Sequence, residues 1–82
     1  MIFVYILQST VTGRYYVGHT KDKENRLHEH NAGETRSTRS GIPWRIVHVE
    51  EFETRAAAME KERIIKSRGI ERYLTSLTGV SG

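Results

Sequence analysis

Two β-rich segments near the N-terminus constrain the fold more than any other feature of the sequence. Ile2 to Leu7 is apolar, Tyr15 to His19 is aromatic and β-branched, and Thr12-Gly13 between them supplies a turn. Strand-forming segments joined by a short turn predict a β-hairpin. Pairing across this hairpin is expected to place Tyr5 and Tyr16 opposite each other.

A polar helix and a loop are predicted next. Asp22 is suited to cap a helix over about Lys23 to Ala32, and Gly33 stands where a helix commonly ends. Leu27 is the only large hydrophobic residue in this helix, so a narrow strip docks on the core and the flanking polar residues reach the working surface. Glu34 to Pro43 is rich in Ser, Thr, Arg and Gly, which predicts an exposed loop.

The third strand is predicted over Trp44 to Phe52, and its apolar character favours a central place in the sheet. Its alternating residues separate into two faces. One face holds Trp44 and Ile46, with His48 as a further candidate, and the other holds Val47 and Val49.

Two helices are predicted after this strand. Thr54 is suited to cap the longer one, which ends near Ser67, and a short helix follows over Ile70 to Leu77. The elements then run ββαβα with a short C-terminal helix, which is an α+β fold. A chain of 82 residues allows one domain, expected over residues 1–77, with residues 78–82 as a flexible tail.

The composition excludes several classes of protein. There is no cysteine, which rules out disulfides, thiol catalysis and thiolate-bound zinc, so any metal must bind oxygen or imidazole. No window is apolar enough to predict a membrane span. Ile2 to Leu7 lacks the basic leader and cleavage site of a secretory signal, so the cytoplasm is the expected compartment.

The net charge of +3 at pH 7 favours polyanions if the positive side chains gather on one face. Thr35 to Val49 contains basic residues and no acidic one, and a second basic cluster follows on the longer predicted helix. The two groups are Arg36, Arg39, Arg45 and His48, then Lys61, Arg63, Lys66 and Arg68. A solvated surface explains this pattern about equally well.

The two tyrosines of the hairpin are the first candidates for chemistry. A phenol with a pKa of about 10 is a poor base near neutrality unless positive charge or a metal-bound water makes its proton easier to lose. Tyr5 and Tyr16 therefore need help from other residues. Half-buried packing on the sheet is the alternative, and the tyrosines alone favour it.

Arg26 and His30 are four residues apart on the first predicted helix and therefore share one face. The forked donors of an arginine can hold the non-bridging oxygens of a phosphodiester, and its charge can stabilise the transition state. A histidine can donate a hydrogen bond or transfer a proton near neutral pH. An unpaired surface arginine and an exposed helix histidine are the alternatives.

Glu62 shares a helical row with Ala58 and Ile65 beside the apolar side of its helix, whereas Glu60 points the opposite way. A carboxylate next to a core needs a partner. A lysine or arginine would form an ordinary salt bridge. Mg2+ would keep most of its waters and take one or two carboxylates together with substrate phosphate. Glu62 taken alone favours the salt bridge.

Taken in order along most of the chain, these residues resemble the motifs of the GIY-YIG nuclease superfamily. Phe3-Val4-Tyr5 occupies the first motif and Tyr16-Val17-Gly18 the second. The later matches are Arg26, His30-Asn31, Ala58, Glu62, Ile65 and Lys66. Thr38-Arg39 and Pro43-Trp44, before and at the start of the third strand, most resemble the small stand-alone bacterial branch.

The resemblance implies a three-stranded antiparallel sheet flanked by helices and a metal-assisted hydrolysis of phosphodiester bonds in DNA. It assigns Tyr16 as the general base or water-orienting phenol, while Tyr5 positions water or a phosphate oxygen. Arg26 would stabilise the transition state and His30 would transfer a proton. Glu62 would be the protein ligand to Mg2+ or Mn2+.

Two positions depart from the motifs of the superfamily. Phe3 replaces the glycine of the first motif, and His19 follows Gly18 where some relatives have a lysine. The asparagine that some larger members place after the metal-binding glutamate has no counterpart in Arg68 to Leu74.

The leading interpretation is an endonuclease that cuts DNA in repair, recombination or processing, with branched and single-stranded DNA as candidate substrates and a targeting protein as a candidate partner. Its predicted nucleic-acid-binding residues are His19, Arg36, Arg39, Arg45 and Lys66. A nucleic-acid-binding module of the same fold with little turnover is the alternative, and a protein-interaction domain is a third reading. The sequence does not give the oligomeric state.

Overall fold

The structure, a computed structural model, describes residues 1–78 and confirms the α+β fold. Its elements are β1 (Ile2–Ser9), β2 (Tyr15–Thr20), α1 (Lys23–Asn31), a 3-10 helix (Arg36–Gly41), β3 (Trp44–Phe52), α2 (Arg55–Arg68) and α3 (Ile70–Leu77). No helix among these residues is long and apolar enough to cross a membrane. Thr78 caps α3, and the rest of the predicted tail lies outside the described residues.

The N-termini of α1 and α2 form where the sequence predicts them. The Asp22 side chain accepts a hydrogen bond from the Asn25 amide, and Thr54 accepts one from Ala57. Such side chains satisfy amides that the first turn of a helix leaves without a partner. The caps therefore fix where α1 and α2 leave the sheet.

The sheet is antiparallel in the order β2-β1-β3, so β1 is the central strand. The expectation that the third strand is central is wrong. Most of β1 is buried, whereas Trp44 is the only buried residue of β3. The difference follows from charge, because β1 has no charged residue while β3 includes Arg45, Glu50 and Glu51, which an edge strand can expose to water.

A β-bulge on β3 changes which residues share a face. Ile6 pairs with His48 and Leu7 pairs with Ile46, so Val47 is the extra residue between them. His48 therefore turns away from the face of Trp44 and Ile46, and Val49 returns to that face. The alternation expected for this strand is correct up to Val47, which packs on the opposite core, and is wrong for His48 and Val49.

The two faces of the sheet pack separate cores. One core joins the even-numbered residues of β1 to α2 and α3, and contains Ile2, Val4, Ile6, Val17, Ala58, Ile65 and Tyr73. The other lies under α1 and the 3-10 helix, and contains Tyr5, Leu7 and Trp44 with Tyr16, Leu27 and Ile42 packed against them. Alternation along β1 thus places Tyr5 on the face that α1 covers.

Candidate active site

The two hairpin tyrosines lie diagonally across the strand pair rather than opposite each other. Tyr5 pairs with Gly18, and Tyr16 pairs with Leu7. The expectation of directly facing tyrosines is wrong because the length of the turn sets this register. A side chain at Gly18 would place its Cβ atom 2.6 Å from the Tyr5 hydroxyl oxygen, so glycine leaves the space that this hydroxyl occupies. The two rings remain neighbours, with centroids 6.3 Å apart.

A chain of hydrogen bonds leads from α1 through Tyr5 into the 3-10 helix. Arg26 Nε donates to the Tyr5 hydroxyl oxygen at 3.3 Å, and this hydroxyl lies 3.1 Å from His30 Nε2. His30 Nδ1 lies 2.8 Å from Thr38 Oγ1, which donates to the Thr35 carbonyl at 3.2 Å. Since Thr38 uses its proton on that carbonyl, it accepts from His30.

The direction of this chain fixes the protonation of its members. His30 holds its proton on Nδ1 and accepts from Tyr5 on Nε2, which requires a neutral imidazole. Burial, together with the charge of Arg26, lowers the pKa of His30 below 6.5 and favours the same form. Burial also raises the pKa of Tyr5 to about 12, despite the hydrogen bond from Arg26. Tyr5 therefore keeps its proton near neutral pH.

His30 is the fully buried residue of α1, not a surface histidine. Both ring nitrogens have partners, and its ring packs edge-on against Tyr16 with centroids 4.9 Å apart. His30 thus contacts the hydroxyl of Tyr5 and the ring of Tyr16. His30 is therefore built to position these phenols.

Arg26 is held from two sides and remains about a third exposed. Its Nη1 donates to Glu29 Oε1 at 2.8 Å, and its Nε donates to Tyr5. The side chain of Arg26 is 32% exposed. The Glu29 hydrogen bond and then the Tyr5 contact raise its pKa, so the guanidinium stays charged. A fixed, partly exposed cation suits a phosphate oxygen.

Tyr16 differs from Tyr5 in that its hydroxyl has no hydrogen-bond partner within residues 1–78, although its ring contacts both Tyr5 and His30. The residue is partly exposed and lines a hollow between the hairpin turn and the 3-10 helix. Tyr16 is therefore the phenol that a bound molecule can reach.

The segment from Glu34 to Pro43 is mostly exposed, as its composition predicts, but part of it is a helix rather than a loop. It contains the 3-10 helix, in which Thr38 and Gly41 are buried. Trp44 Nε1 donates to the Thr38 carbonyl at 2.7 Å, and its ring packs directly on Gly41. Polar composition does not reveal the burial of Thr38, because its hydroxyl and its carbonyl both find hydrogen-bond partners inside the fold.

Glu62 forms a second group with His19 and Lys66. Its Oε1 lies 2.7 Å from His19 Nδ1, and its Oε2 accepts from Lys66 Nζ at 2.8 Å. Burial alone would raise the pKa of Glu62, but the hydrogen bonds from His19 and Lys66 hold it below 4.5. The carboxylate is thus ionised at neutral pH, with its side chain 17% exposed.

The two groups act on each other through their charges. The carboxylate of Glu62 contributes to the raised pKa of Tyr5, after burial and Tyr16. Tyr16 contributes to the raised pKa of Lys66, for which the Glu62 hydrogen bond is the main cause. Glu62 and Lys66 themselves line a separate hollow with His19.

The predicted nucleic-acid-binding residues fall in different places. His19 and Lys66 adjoin Glu62, as described. Arg36 is exposed at the start of the 3-10 helix, and Arg39 Nε donates to the Gly33 carbonyl at 2.6 Å. Arg45 reaches Gln8 Oε1 at 3.3 Å and, following Trp44 on β3, lies on the opposite face from the phenols.

A divalent cation fits Glu62 as a site with one protein ligand. Residues 1–78 contain no cluster of three metal-binding side chains, so the protein does not form a closed cage there. Mg2+ often takes one or two carboxylates and keeps several waters. Glu62 is ionised and borders a hollow, and Lys66, with its side chain 58% exposed, is free to move away.

The chain matches the model of a known protein family. Residues 1–73 match the GIY-YIG catalytic domain. The chain belongs to the GIY-YIG family. GIY-YIG proteins are a nuclease family whose members generally use divalent metals, and every residue of the two groups described above lies within the matched region.

Individual GIY-YIG relatives share both the sequence and the fold. A UPF0213 protein of Haloquadratum walsbyi is 46% identical over 66 residues, which cover 79% of this chain and 73% of the relative. A UPF0213 protein of Streptococcus agalactiae is 31% identical over 74 residues, covering 89% and 83%. The solution NMR structure of a Bacillus halodurans UPF0213 protein has a TM-score of 0.57 at 32% identity, covering 96% of this chain and 87% of that one.

Sequence reasoning assigned no role to two residues that organise this site. Glu29 orients Arg26, and its position three residues later on the same helix is a signal that could have identified it. Thr38 completes the hydrogen-bond chain from His30. Thr38 matches the family within Thr38-Arg39, but it stands among other serines and threonines, and nothing local indicates its contact with His30.

Proposed function

We propose that this chain is a divalent-metal-dependent endonuclease that hydrolyses phosphodiester bonds in DNA. The supporting observation is the pairing of a fixed, charged Arg26 with an accessible Tyr16 hydroxyl that has no partner within residues 1–78. A positive charge that binds phosphate beside a group able to take a proton is what hydrolysis of a phosphodiester requires. The catalytic unit is residues 1–77.

Each residue then has a role that follows from its contacts. Tyr16, in its deprotonated form, would orient the attacking water and accept its proton, while Arg26 binds a non-bridging oxygen and stabilises the added negative charge. Tyr5 keeps its proton and serves as the anchor that aims Arg26. His30 and Thr38 hold Tyr5 in place. This role for His30 replaces direct proton transfer to the substrate, because the imidazole is buried.

Glu62 would hold the Mg2+ or Mn2+ ion, which supplies positive charge and a more acidic bound water when present. Lys66 then moves from the carboxylate toward the phosphate backbone, and His19 keeps the other carboxylate oxygen oriented. Arg36 and Arg39 provide further contacts to DNA from the 3-10 helix. Any contact of Arg45 with DNA would come from the face of the sheet opposite the phenols.

A nucleic-acid-binding module with little turnover is the second candidate. The observation that favours it is the ion pair between Glu62 and Lys66, which neutralises the carboxylate without any metal. In that reading Lys66 stays on Glu62, and the basic residues bind phosphate without cleavage. The two candidates differ in whether a metal ion competes for Glu62.

Cleavage of branched, single-stranded and duplex DNA with Mg2+, Mn2+ or a chelator tests the proposal. The chelator and Glu62→Ala should each reduce cleavage by about 100-fold or more, because the metal site is lost. Glu60→Ala is the matched control, since Glu60 pairs with Arg63 on the exposed side of the same helix. Full activity of Glu62→Ala would refute the metal assignment, and binding without cleavage of any substrate would favour the second candidate.

We also propose that the protein works in the cytoplasm in DNA repair, recombination or processing, with a targeting protein supplying selectivity. The support is the small area of the domain, which offers few side chains for reading bases. Affinity purification of the intact chain from cells after DNA damage, compared with untreated cells, tests this assignment.

A further inference from the structure

A hollow beside Tyr16 contains polar groups that the catalytic roles above do not use. It has a volume of about 130 Å³ and lies between the hairpin turn and the 3-10 helix. Arg14 borders it from the turn, and Ser37 and Ser40 border it from the 3-10 helix. No carboxylate is among the residues that line it. The lining is therefore suited to an anion.

The hollow adjoins the reaction centre through Tyr16. Tyr16 lines it, and the Tyr16 ring is a neighbour of Tyr5, whose hydroxyl accepts from Arg26. A group bound in the hollow would therefore lie next to a phosphate held by Arg26. On a nucleic-acid strand, the group at that position is the neighbouring phosphate.

The donors in the hollow are unoccupied, unlike those of most other arginines near the site. Within residues 1–78, the guanidinium of Arg14 has no ion pair or side-chain hydrogen bond, and neither do the hydroxyls of Ser37 and Ser40. By contrast, Arg26 and Arg39 are each fixed to a protein oxygen. Three free donors around one small hollow are consistent with a ligand of several acceptor oxygens.

The walls of the hollow are rigid enough to present these donors. Ser9 Oγ accepts from the backbone amides of Val11 and Thr12 at 3.2 and 3.0 Å, which orders the turn before Arg14. Trp44 fixes the 3-10 helix through the Thr38 carbonyl. Ordered walls reduce the entropy lost on binding.

We propose that this hollow is a subsite for the phosphate next to the scissile one, with Arg14 as its charged donor and Ser37 and Ser40 as hydrogen-bond donors. The proposal rests on the proposed function, because it names a second phosphate of the same substrate strand. It makes the substrate a strand that extends past the cleaved bond on the side of the hairpin turn.

The test uses DNA strands in which one phosphate at a time is replaced by an uncharged methylphosphonate. Wild-type protein should lose about tenfold in affinity when the phosphate in the subsite is neutral, which is typical for one charge-assisted hydrogen bond. Arg14→Gln should lose about the same on unmodified DNA, and nothing more on that modified strand. Its slope of log Kd against log salt should fall by about one.

Arg72→Gln is the matched control, because Arg72 is an exposed arginine on α3, across the sheet from the hollow. It should leave the affinity, the salt slope and the methylphosphonate profile unchanged. Equal losses in both variants, or an Arg14→Gln effect that adds to every methylphosphonate alike, would overturn the subsite in favour of general charge attraction. Unchanged melting temperatures would verify that both variants fold.

The outcomes separate the subsite from the proposed function. If wild-type protein cleaves DNA but Arg14→Gln matches Arg72→Gln in binding, the subsite is wrong and the endonuclease stands. If nothing is cleaved while one methylphosphonate position still cancels the Arg14→Gln effect, the subsite stands and the endonuclease fails. Absence of any DNA binding would overturn both.

Discussion

Each face of the sheet has a hydrogen-bonded group made of the same four kinds of residue. Beside α1 they are Tyr5, His30, Glu29 and Arg26, and beside α2 and α3 they are Tyr73, His48, Glu50 and Lys61. The two differ in direction. In the second group every donor converges on one carboxylate, whereas the first is a chain that starts at a partly exposed guanidinium and ends on the partly buried carbonyl of Thr35.

The second group is closed around Glu50. His48 Nε2 lies 2.7 Å from the carboxylate, Lys61 Nζ lies 3.6 Å from it, and the Tyr73 hydroxyl donates to it. Burial alone would raise the pKa of Glu50, but the bonds from Tyr73 and His48 hold it below 4.5. With its oxygens occupied, this group joins β3 to α2 and α3 and leaves nothing for a substrate.

The comparison teaches that residue types do not define a site. A phenol, an imidazole, a carboxylate and a cation form a structural clasp when they satisfy one another. They form a candidate active site when the chain leaves Arg26 exposed and leaves the hydroxyl of the adjacent Tyr16 without a partner within residues 1–78.

The largest expected difference is between the two phenols Tyr16 and Tyr73. Tyr16→Phe should reduce kcat by about 100-fold or more, because it removes the group that accepts the proton, and should leave thermal stability unchanged. Tyr73→Phe should leave kcat within about twofold and lower the free energy of unfolding by about 1–3 kcal/mol. Single-turnover cleavage and urea unfolding measure both. The opposite pattern would contradict the comparison.

The next difference concerns Thr38, the last side chain of the hydrogen-bond chain that begins at Arg26. Thr38→Val should lower the free energy of unfolding by about 1–3 kcal/mol, since it leaves His30 Nδ1 buried without an acceptor. The cleavage rate should fall as well, because His30 then no longer fixes Tyr5. Thr75→Val, at an exposed hydroxyl bonded to the Glu71 carbonyl, should change stability by less than about 0.5 kcal/mol. Equal effects would show that the chain has no structural role.

The two groups should also lose stability at different pH. His30 has its pKa lowered from 6.5 in the folded state, so below that pH the unfolded chain binds a proton that the folded chain refuses, and the free energy of unfolding falls. Glu50 has its pKa lowered from 4.5, so its contribution is present above that pH and is lost as the pH falls through the folded pKa.

Urea unfolding between pH 8 and pH 3 should therefore give two decreases in stability on the acid side, in the ranges that these residues set. His30→Phe should remove the decrease that begins near pH 6.5, and Glu50→Gln should reduce the one below pH 4.5. Retention of the upper decrease in His30→Phe would mean that another group causes it.

The smallest expected effect comes from the partner of the exposed guanidinium. Glu29→Gln keeps a hydrogen-bond acceptor for Arg26 but removes the charge, so kcat/KM should fall by only about two- to fivefold, the range of a partly exposed ion pair. Glu60→Gln changes a similar pair with Arg63 on α2 and should leave cleavage unchanged. A larger loss in Glu29→Gln would make Glu29 part of the catalytic group.

Local signals in the sequence predicted the three strands and the three α-helices but not the 3-10 helix, because caps such as Asp22 and Thr54 act within one turn of helix. Strand order and the bulge were not predictable in this way. Both depend on how β3 meets β1, and the apolar run of β3 concealed the charges that keep it at the edge. The pairing of distant strands depends on the whole fold, so the sequence of either strand alone gives little indication of it.

In the candidate site, too, the local features were predictable and those that depend on distant segments were not. Helical spacing placed Arg26 and His30 together, as the structure does. It could not reveal that His30 is buried, because that depends on Thr38 in a segment whose composition indicates a loop. The register that sets Tyr5 against Gly18 was likewise invisible, since it follows from the length of the hairpin turn.

Asn31 protects the start of the edge strand β3. Its side chain accepts from the Trp44 amide at 2.6 Å and donates to the Trp44 carbonyl at 3.0 Å, on the edge strand β3. One amide side chain thereby takes both backbone bonds that a neighbouring strand would form at this residue. Exposed edges invite pairing with another chain and aggregation, so Asn31 closes the start of β3 to strand addition by a second molecule.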